Sequence, residues 1–160
     1  MKVTSTNWAR RRWSASGFTL VEIMVVVVII GLLAALAIPA FQKNRRSVQC
    51  RTFINELRLI RDASEQYVTE HAAWPPDGSA AICPELMEYL HDDLNVKVAA
   101  VGGRWDWDYM QYGCTAGISV YQPTADAVQM QEIDAAIDDG NLSTGKFHAR
   151  TDGYIYVIAP

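Results

Sequence analysis

A single acidic residue interrupts the most apolar stretch of the sequence. Glu22 stands near the start of SASGFTLVEIMVVVVIIGLLAALAIPAF, and the 20 residues that follow it, 23–42, contain no charged side chain. A carboxylate is costly in a hydrocarbon environment and is rarely kept there without a partner or a function. An opposite charge within a few ångströms would stabilise its ionised form strongly in a medium of low dielectric constant. The sequence therefore predicts that Glu22 has either a partner or a function of its own.

A second set of carboxylates lies in the segment RWDWDY. Asp106 and Asp108 alternate with aromatic residues, which places both on one face of a strand. Calcium takes several oxygen ligands, so this pair alone is too small a set. Further oxygens would have to come from Asp138, Asp139, Asn141 and Asp152. We predict no cofactor, with calcium as the weaker alternative, and interpret the pair as a solvated face with an Arg104–aspartate ion pair.

Catalytic motifs are missing from the sequence. The histidines are His71, His91 and His148, and no HExxH, GxSxG or paired CxxC element is present. A serine or cysteine nucleophile would need a base that the fold alone brings to it. We therefore predict that the protein is not an enzyme.

The apolar run is long enough to span a membrane, with Glu22 near its start. Twenty residues at about 1.5 Å each span about 30 Å, the thickness of the hydrocarbon core. Residues 1–17 carry four basic side chains and no acid. Because basic flanks stay cytoplasmic, we predict a single membrane span, with the C-terminal body on the other side of the membrane.

A basic cluster, KNRRSVQCR, follows the run directly. Its cations are Lys43, Arg45, Arg46 and Arg51, and they nearly balance the basic N-terminus. We interpret the cluster as a solvated helix face near the lipid headgroups, and a specific lipid site is the alternative.

The next segment has the periodicity of an amphipathic helix. Apolar and small residues recur at steps of three and four, at Phe53, Leu57, Ile60, Ser64 and Tyr67. Charged residues, among them Glu56, fill the other side. Proline in the segment WPP at 74–76 ends the pattern. One helix is therefore predicted from Phe18 to about His71.

The remaining residues predict a small head of mixed structure. A short helix is expected near Pro84 to His91, and RWDWDY and AGISVY are paired strands. A further helix follows, capped by Thr124 or Asp126, with Val128, Ile133, Ala136 and Ile137 as its apolar stripe and Gly140 as its stop. KFHA and YIYVIA form a final hairpin around TDG. The predicted fold class is α+β, a long N-terminal helix packed on a small antiparallel sheet.

The head is acidic and contains two of the three cysteines. Residues 73–160 carry 13 acidic and four basic side chains, which argues against nucleic-acid binding. With the C-terminal body across the membrane from the cytoplasm, Cys83 and Cys114 would face an oxidising environment. A Cys83–Cys114 disulfide is one possibility, and buried free thiols are the other.

The segment GFTLVEIMVVVVIIGLLAALAIPAF resembles the N-terminal motif of type IV pilins and type II secretion pseudopilins. The resemblance implies that a prepilin peptidase cuts between Gly17 and Phe18 and methylates the new N-terminus at Phe18. Glu22 matches the acidic position of the family, and Pro39 matches a helix-distorting proline. The small residues SASG precede the apolar core, whereas a secretory signal peptide has its cleavage site after the core.

This resemblance divides the chain into four parts. They are a cleaved basic leader at 1–17, a transmembrane assembly helix at 18–42, its amphipathic continuation at 43–73 and a globular α+β head at 74–160. It implies a structural subunit of a type IV pilus or a type II secretion pseudopilus. Implied partners are copies of itself or related pilins, prepilin peptidase, an assembly ATPase and a platform membrane protein.

The assembly role suggests a partner for Glu22, namely the amine that cleavage creates on Phe18 of a neighbouring subunit. A minor pilin or pseudopilin that primes or tips the filament is the alternative. A membrane-anchored periplasmic binding domain is a more remote one. A plain anchor with Glu22 at headgroup level would leave the SASGF segment unexplained.

Overall fold

The computed structural model describes residues 17–79, 81–90 and 98–160, so most of the predicted leader and His91 lie outside the described residues. The elements follow in the order α1 (Leu20–His71), α2 (Pro84–Met87), β1 (Arg104–Tyr109), β2 (Ala116–Tyr121), α3 (Ala127–Ile137), β3 (Phe147–Arg150) and β4 (Gly153–Ala159). The chain divides into two units, Met1–Phe41 and Gln42–Pro160.

The four strands form one antiparallel sheet in the order β1-β2-β4-β3. β1 and β2 pair along their whole lengths, from Arg104 opposite Tyr121 to Tyr109 opposite Ala116. β3 and β4 form the predicted final hairpin. With the second half of α1 packed on this sheet, the α+β prediction is confirmed.

The core lies between the sheet and the buried stripe of α1. Phe53 stacks on Trp105 with ring centroids 4.7 Å apart, and the fully buried Trp107 donates its indole N–H to the Pro75 carbonyl at 3.1 Å. The amphipathic prediction is therefore confirmed, with one correction. Glu56, assigned to the charged side, is buried and accepts hydrogen bonds from Ala100 N at 3.2 Å and Trp105 Nε1 at 3.3 Å.

The two short helices differ from their predicted forms. α2 covers only Pro84–Met87. Asp126 is the N-cap of α3 and accepts from Gln129 N at 2.8 Å. Val128 and Ala136 of the predicted stripe are exposed, and the residues of α3 that are buried are Gln129, Met130, Ile133 and Asp134.

Candidate functional site

The first turn of α1 is closed by a reciprocal pair of side chains. Thr19 donates its backbone N–H and its hydroxyl to the same oxygen of Glu22, Oε2, both at 2.8 Å. In return, the Thr19 hydroxyl oxygen accepts from Glu22 N at 3.2 Å. This is a capping box, in which two otherwise unpaired N–H groups at a helix start are satisfied. Glu22 therefore has a structural partner within its own chain.

The helix beyond this turn presents an apolar surface that nothing in its own unit covers. Every described residue from Gly17 to Phe41 is exposed except the half-buried Ala34. Its large side chains include Val28 at 67% exposure and Leu36 at 71%. α1 contains a segment long and apolar enough to span a membrane. Such a surface is stable only where lipid or other apolar helices cover it.

The similarity to known proteins includes this segment and extends beyond it. The prokaryotic N-terminal methylation motif matches residues 14–38. Type II secretion system core protein G of Klebsiella michiganensis is 35% identical over 132 residues, which cover 78% of this chain and 93% of that protein. The chain belongs to the type IV pilin and type II secretion pseudopilin family.

Other pilin relatives match over a shorter length of the chain. Fimbrial protein EcpC of Eikenella corrodens is 40% identical over 65 residues, covering 41% of this chain and 42% of EcpC. Type IV major pilin protein PilE of Neisseria gonorrhoeae is 39% identical over 69 residues, covering 41% and 39%. The matches thus span about two-fifths of those pilins.

The fold of this family member also matches a solved pilin. The major type IV pilin PilA1 from Clostridium difficile superposes with a TM-score of 0.52 at 14% identity, over 71% of this chain and 96% of that one. At such low identity the likeness supports the fold alone, and it agrees with the predicted pilin-like architecture.

The predicted processing site precedes α1. Gly17 and Phe18 are exposed and lie before the first helical residue, Leu20, so the peptide bond between them is in an exposed segment outside the helix. Cleavage there and methylation of Phe18 stay predictions. Pro39 lies inside α1, which continues through it. Because proline has no N–H, the carbonyl four residues earlier loses its donor, and a local distortion at Pro39 also stays a prediction.

The other candidate residues on the sheet form a buried ion cluster. The Arg150 guanidinium lies 3.3 Å from carboxylate oxygens of both Asp106 and Asp108, and all three side chains are at most 6% exposed. Ser119 donates its hydroxyl to Asp108. The Tyr112 ring covers the guanidinium at 4.3 Å.

This cluster corrects two expectations about Asp106 and Asp108. Their face of β1 is buried rather than solvated, and their cation is Arg150 from β3 rather than Arg104, which lies over the Tyr121 ring instead. Burial raises the pKa of Asp106 to about 6, with the neighbouring Asp108 adding to the rise and Arg150 opposing it. Burial likewise raises the pKa of Asp108. A carboxylate pair already engaged by a guanidinium does not suit a metal.

The carboxylates that do come together are on α3 and in the loop after it. Carboxylate oxygens of Asp134, Asp138 and Asp139 lie within 4.8 Å of one another. Asp134 is fully buried, and neither of its oxygens has a hydrogen bond of normal geometry. Burial raises its pKa, and Asp139 and Asp138 add to the effect. Asp134 therefore needs a proton or a cation.

The two flanking aspartates are held by the loop. Asp138 accepts from the backbone N–H of Lys146 and from that of Phe147, and Asp139 accepts from Asn141 N at 2.8 Å and Thr144 Oγ1 at 2.7 Å. These three carboxylates, rather than Asp106 and Asp108, are the residues that suit a hard cation such as calcium.

Of the two possibilities for Cys83 and Cys114, a disulfide or free thiols, the structure has the free thiols. All three cysteines are free thiols. Cys83 packs in the core between α1 and the sheet, whereas the Cys114 sulfur approaches Gly117 and donates to the Gln111 carbonyl at 3.2 Å. Gly117 belongs to the opposite face of β2 from the core residues Ala116 and Ile118, so the sheet separates the two thiols.

The two described histidines have no catalytic setting. His71 stacks on Tyr67, with centroids 4.1 Å apart, at the end of α1, and His148 lies on β3. The prediction that this pilin-family protein is not an enzyme stays a prediction, although the relatives are structural proteins by name.

Sequence reasoning missed three residues that matter here: Thr19, Asp134 and Arg150. Thr19 had a readable signal, because Thr-x-x-Glu before an apolar run is the capping-box pattern. Arg150 had no readable signal, because Asp108 and Asp106 lie 42 and 44 positions earlier in the chain. Asp134 lies four positions before Asp138, so their common helix face was readable, but the burial of Asp134 was not.

Proposed function

We propose that the protein is a structural subunit of a type IV pilus or a type II secretion pseudopilus, assembled through α1. The observation that carries this proposal is the wholly exposed apolar half of α1, which requires lipid before assembly and other copies of α1 after it. Packing of apolar helices supplies most of the association. The described relatives are pilins and a core secretion protein, and no observation favours the minor-subunit or binding-domain alternatives.

Processing supplies a positively charged partner for the Glu22 carboxylate. Cleavage between Gly17 and Phe18 by prepilin peptidase creates a positive amine on Phe18. Both Thr19 donors use Oε2 of Glu22, and no hydrogen bond to Oε1 is found in the described part of the chain. Oε1 is therefore available to the amine of a neighbouring subunit, and the pair is strong because apolar helices surround it.

The proposed topology places the head in the periplasm, with the N-terminus in the cytoplasm and the span in the inner membrane. The assembly ATPase and the platform protein are partners by family resemblance. The basic leader and the uncharged span support this orientation.

Mass spectrometry of the membrane-extracted protein tests the processing step. We expect a chain that begins at N-methylated Phe18. Gly17→Leu should leave the full leader in place and should stop filament formation. A Cβ at Gly17 meets no described atom within 4 Å. An intact Met1 start in the unmodified protein, or a cut after residue 42, would overturn the proposal.

A further inference from the structure

The loop between α3 and β3 contains a sequence pattern that the proposed function does not use. It reads DGNLS from Asp139 to Ser143, and Asn141 is the only asparagine of the sequence with a serine or threonine two positions later. Asn-x-Ser, with x other than proline, is the acceptor pattern for N-linked glycans. The aspartate two positions before Asn141 extends it to the form that bacterial oligosaccharyltransferases use. The loop therefore contains a candidate modification site.

The structure exposes both side chains that define this pattern. Asn141 and Ser143 are exposed and belong to no helix or strand. Leu142 between them is half-buried and packs against the core, and its carbonyl accepts from Ala149 N at 2.8 Å. The middle residue thus fixes the loop to the head, while the residues on either side of it are accessible to an enzyme.

The amide nitrogen of Asn141 is the atom that would accept a glycan. The amide oxygen of the same side chain accepts from Ser143 N at 3.2 Å, and the backbone N–H of Asn141 donates to Asp139 Oδ1 at 2.8 Å. Neither Nδ2 of Asn141 nor the hydroxyl of Ser143 makes a hydrogen bond to any residue that the structure describes. The loop therefore holds Asn141 through its other polar atoms and leaves the nitrogen free.

The donors of N-linked glycans are lipid-linked, so the acceptor must come near a membrane. Ile137, four residues before Asn141, lines a small cleft together with Arg58 and Arg61 of α1. Arg58 follows Gln42, the last residue of the uncharged run, by 16 positions, which is about 24 Å along a helix. The residues from Ile137 to Asn141 span at most about 14 Å. With α1 in the membrane, Asn141 is therefore within about 40 Å of the bilayer.

We propose that Asn141 is the acceptor of an N-linked glycan, which a membrane-bound oligosaccharyltransferase transfers from a polyprenyl diphosphate. Nδ2 of Asn141 forms a bond to C1 of the first sugar, while the bond from C1 to the diphosphate oxygen breaks. The electron pair of that bond leaves with the diphosphate, and one Nδ2 proton passes to a base of the transferase. The inference rests on the proposed function, because that function places the head across the membrane from the cytoplasm and holds the chain at the bilayer before assembly.

Glycopeptide mass spectrometry of the protein, extracted from the membranes of the cells that produce it naturally, tests this site. We expect the peptide that contains Asn141 to carry the mass of a glycan, with the first sugar retained on Asn141 after fragmentation. Asn141→Gln displaces the amide by one methylene group and should abolish the added mass. Asn55→Gln is the matched control, because Asn55 is also exposed but lies in α1 outside any acceptor pattern, and it should keep the added mass.

Two variants at Ser143 separate N-linked from O-linked transfer. Ser143→Ala should abolish the added mass, whereas Ser143→Thr should keep it, because threonine supplies the same hydroxyl. Added mass that survives Asn141→Gln and is lost in Ser143→Ala would show a glycan on the serine oxygen and would overturn the inference. Loss of the added mass in Asn55→Gln would also overturn it, because the modification would then not depend on this loop.

The N-terminus of the same chain reports on the proposed function separately. Gly17→Leu should keep the leader and should still carry the glycan, because the uncleaved chain stays in the membrane. An unglycosylated Asn141 in a chain that begins at N-methylated Phe18 would overturn the glycan site alone. A glycan on Asn141 in a wild-type chain that begins at Met1 would support the glycan site and contradict the processing step of the proposed function.

Discussion

Thr19 and Glu22 bind each other in both directions at the start of α1, with two bonds of 2.8 Å to Oε2 of Glu22 and one of 3.2 Å returned to the Thr19 hydroxyl. The acidic residue of the apolar run thus has two separable roles. Its oxygen caps the helix within one chain, and its charge is available to a neighbouring subunit.

Glu22 variants separate these roles. Glu22→Gln keeps an oxygen that can cap the helix but loses the charge, so membrane insertion should be unchanged. Filament yield should fall tenfold or more, because a broken buried charge pair costs about 3–5 kcal/mol and about 1.4 kcal/mol is a factor of ten. The measurement is the filament fraction sheared from cells, against the membrane-bound pool.

Thr19→Val is the complementary variant, since it removes the hydroxyl and keeps the charge. It should weaken the first turn of α1 by about 1 kcal/mol and lower filament yield less than Glu22→Gln does. Normal filaments from Glu22→Gln, or equal losses in both variants, would contradict an intersubunit charge pair.

Arg150 should be essential to the stability of the head. Arg150→Met leaves Asp106 and Asp108 buried together without their cation, so the free energy of unfolding should fall by about 3–5 kcal/mol. Arg104→Met is the control, because Arg104 is exposed and makes no ion pair with a described residue. Denaturant unfolding of the detergent-solubilised chain measures the free energy of unfolding of each variant. Similar losses in Arg150→Met and Arg104→Met would show that the buried cluster contributes little.

Asp106 should give the head a measurable pH dependence. Its folded pKa of about 6 is above the ordinary value of 3.8, so the folded state binds a proton more readily than the unfolded chain between these values. Its ionised form therefore lowers stability above about pH 6, and this cost disappears as the pH falls toward 4. As the pH falls from 7 to 5, the melting temperature of the unmodified protein should rise relative to that of Asp106→Asn. A constant difference would rule out this titration.

The calcium alternative can be tested at Asp134, Asp138 and Asp139, where a bound ion should stabilise the loop after α3. Millimolar calcium should raise the melting temperature by a few degrees, since about 1 kcal/mol corresponds to about 2–4 °C in a chain of this size. Asp134→Asn should raise stability without calcium, because a buried charge is removed, and should abolish the calcium effect. Asp106→Asn should leave the calcium effect intact. Loss of the effect only in Asp106→Asn would place the ion on the sheet instead.

The three cysteines should all be reduced in the folded protein. Denaturation without reductant, followed by iodoacetamide, should add three carbamidomethyl groups to the chain. The measurement is intact-mass spectrometry of protein extracted under acid quench. A single adduct would indicate that two cysteines are paired after all.

The sequence determined the elements that local chemistry encodes. The period of 3.6 in α1, the alternation in RWDWDY and the TDG turn each depend on neighbours within a few residues, and α1, β1 and the last hairpin lie where these patterns predict. The family motif likewise depends on contiguous residues around Gly17 and Glu22. Even the Thr19 cap was legible, since its partner is three positions away.

Only the tertiary structure decided which charges meet. Asp106 pairs with Arg150, 44 positions later, because both side chains project from the same face of the sheet, although their strands β1 and β3 form its opposite edges. The same sheet separates Cys83 from Cys114, and the fold buries Glu56 and Asp134, whose sequence surroundings look solvated. Burial and charge pairing depend on groups far apart in the chain, and local periodicity carries no information about them.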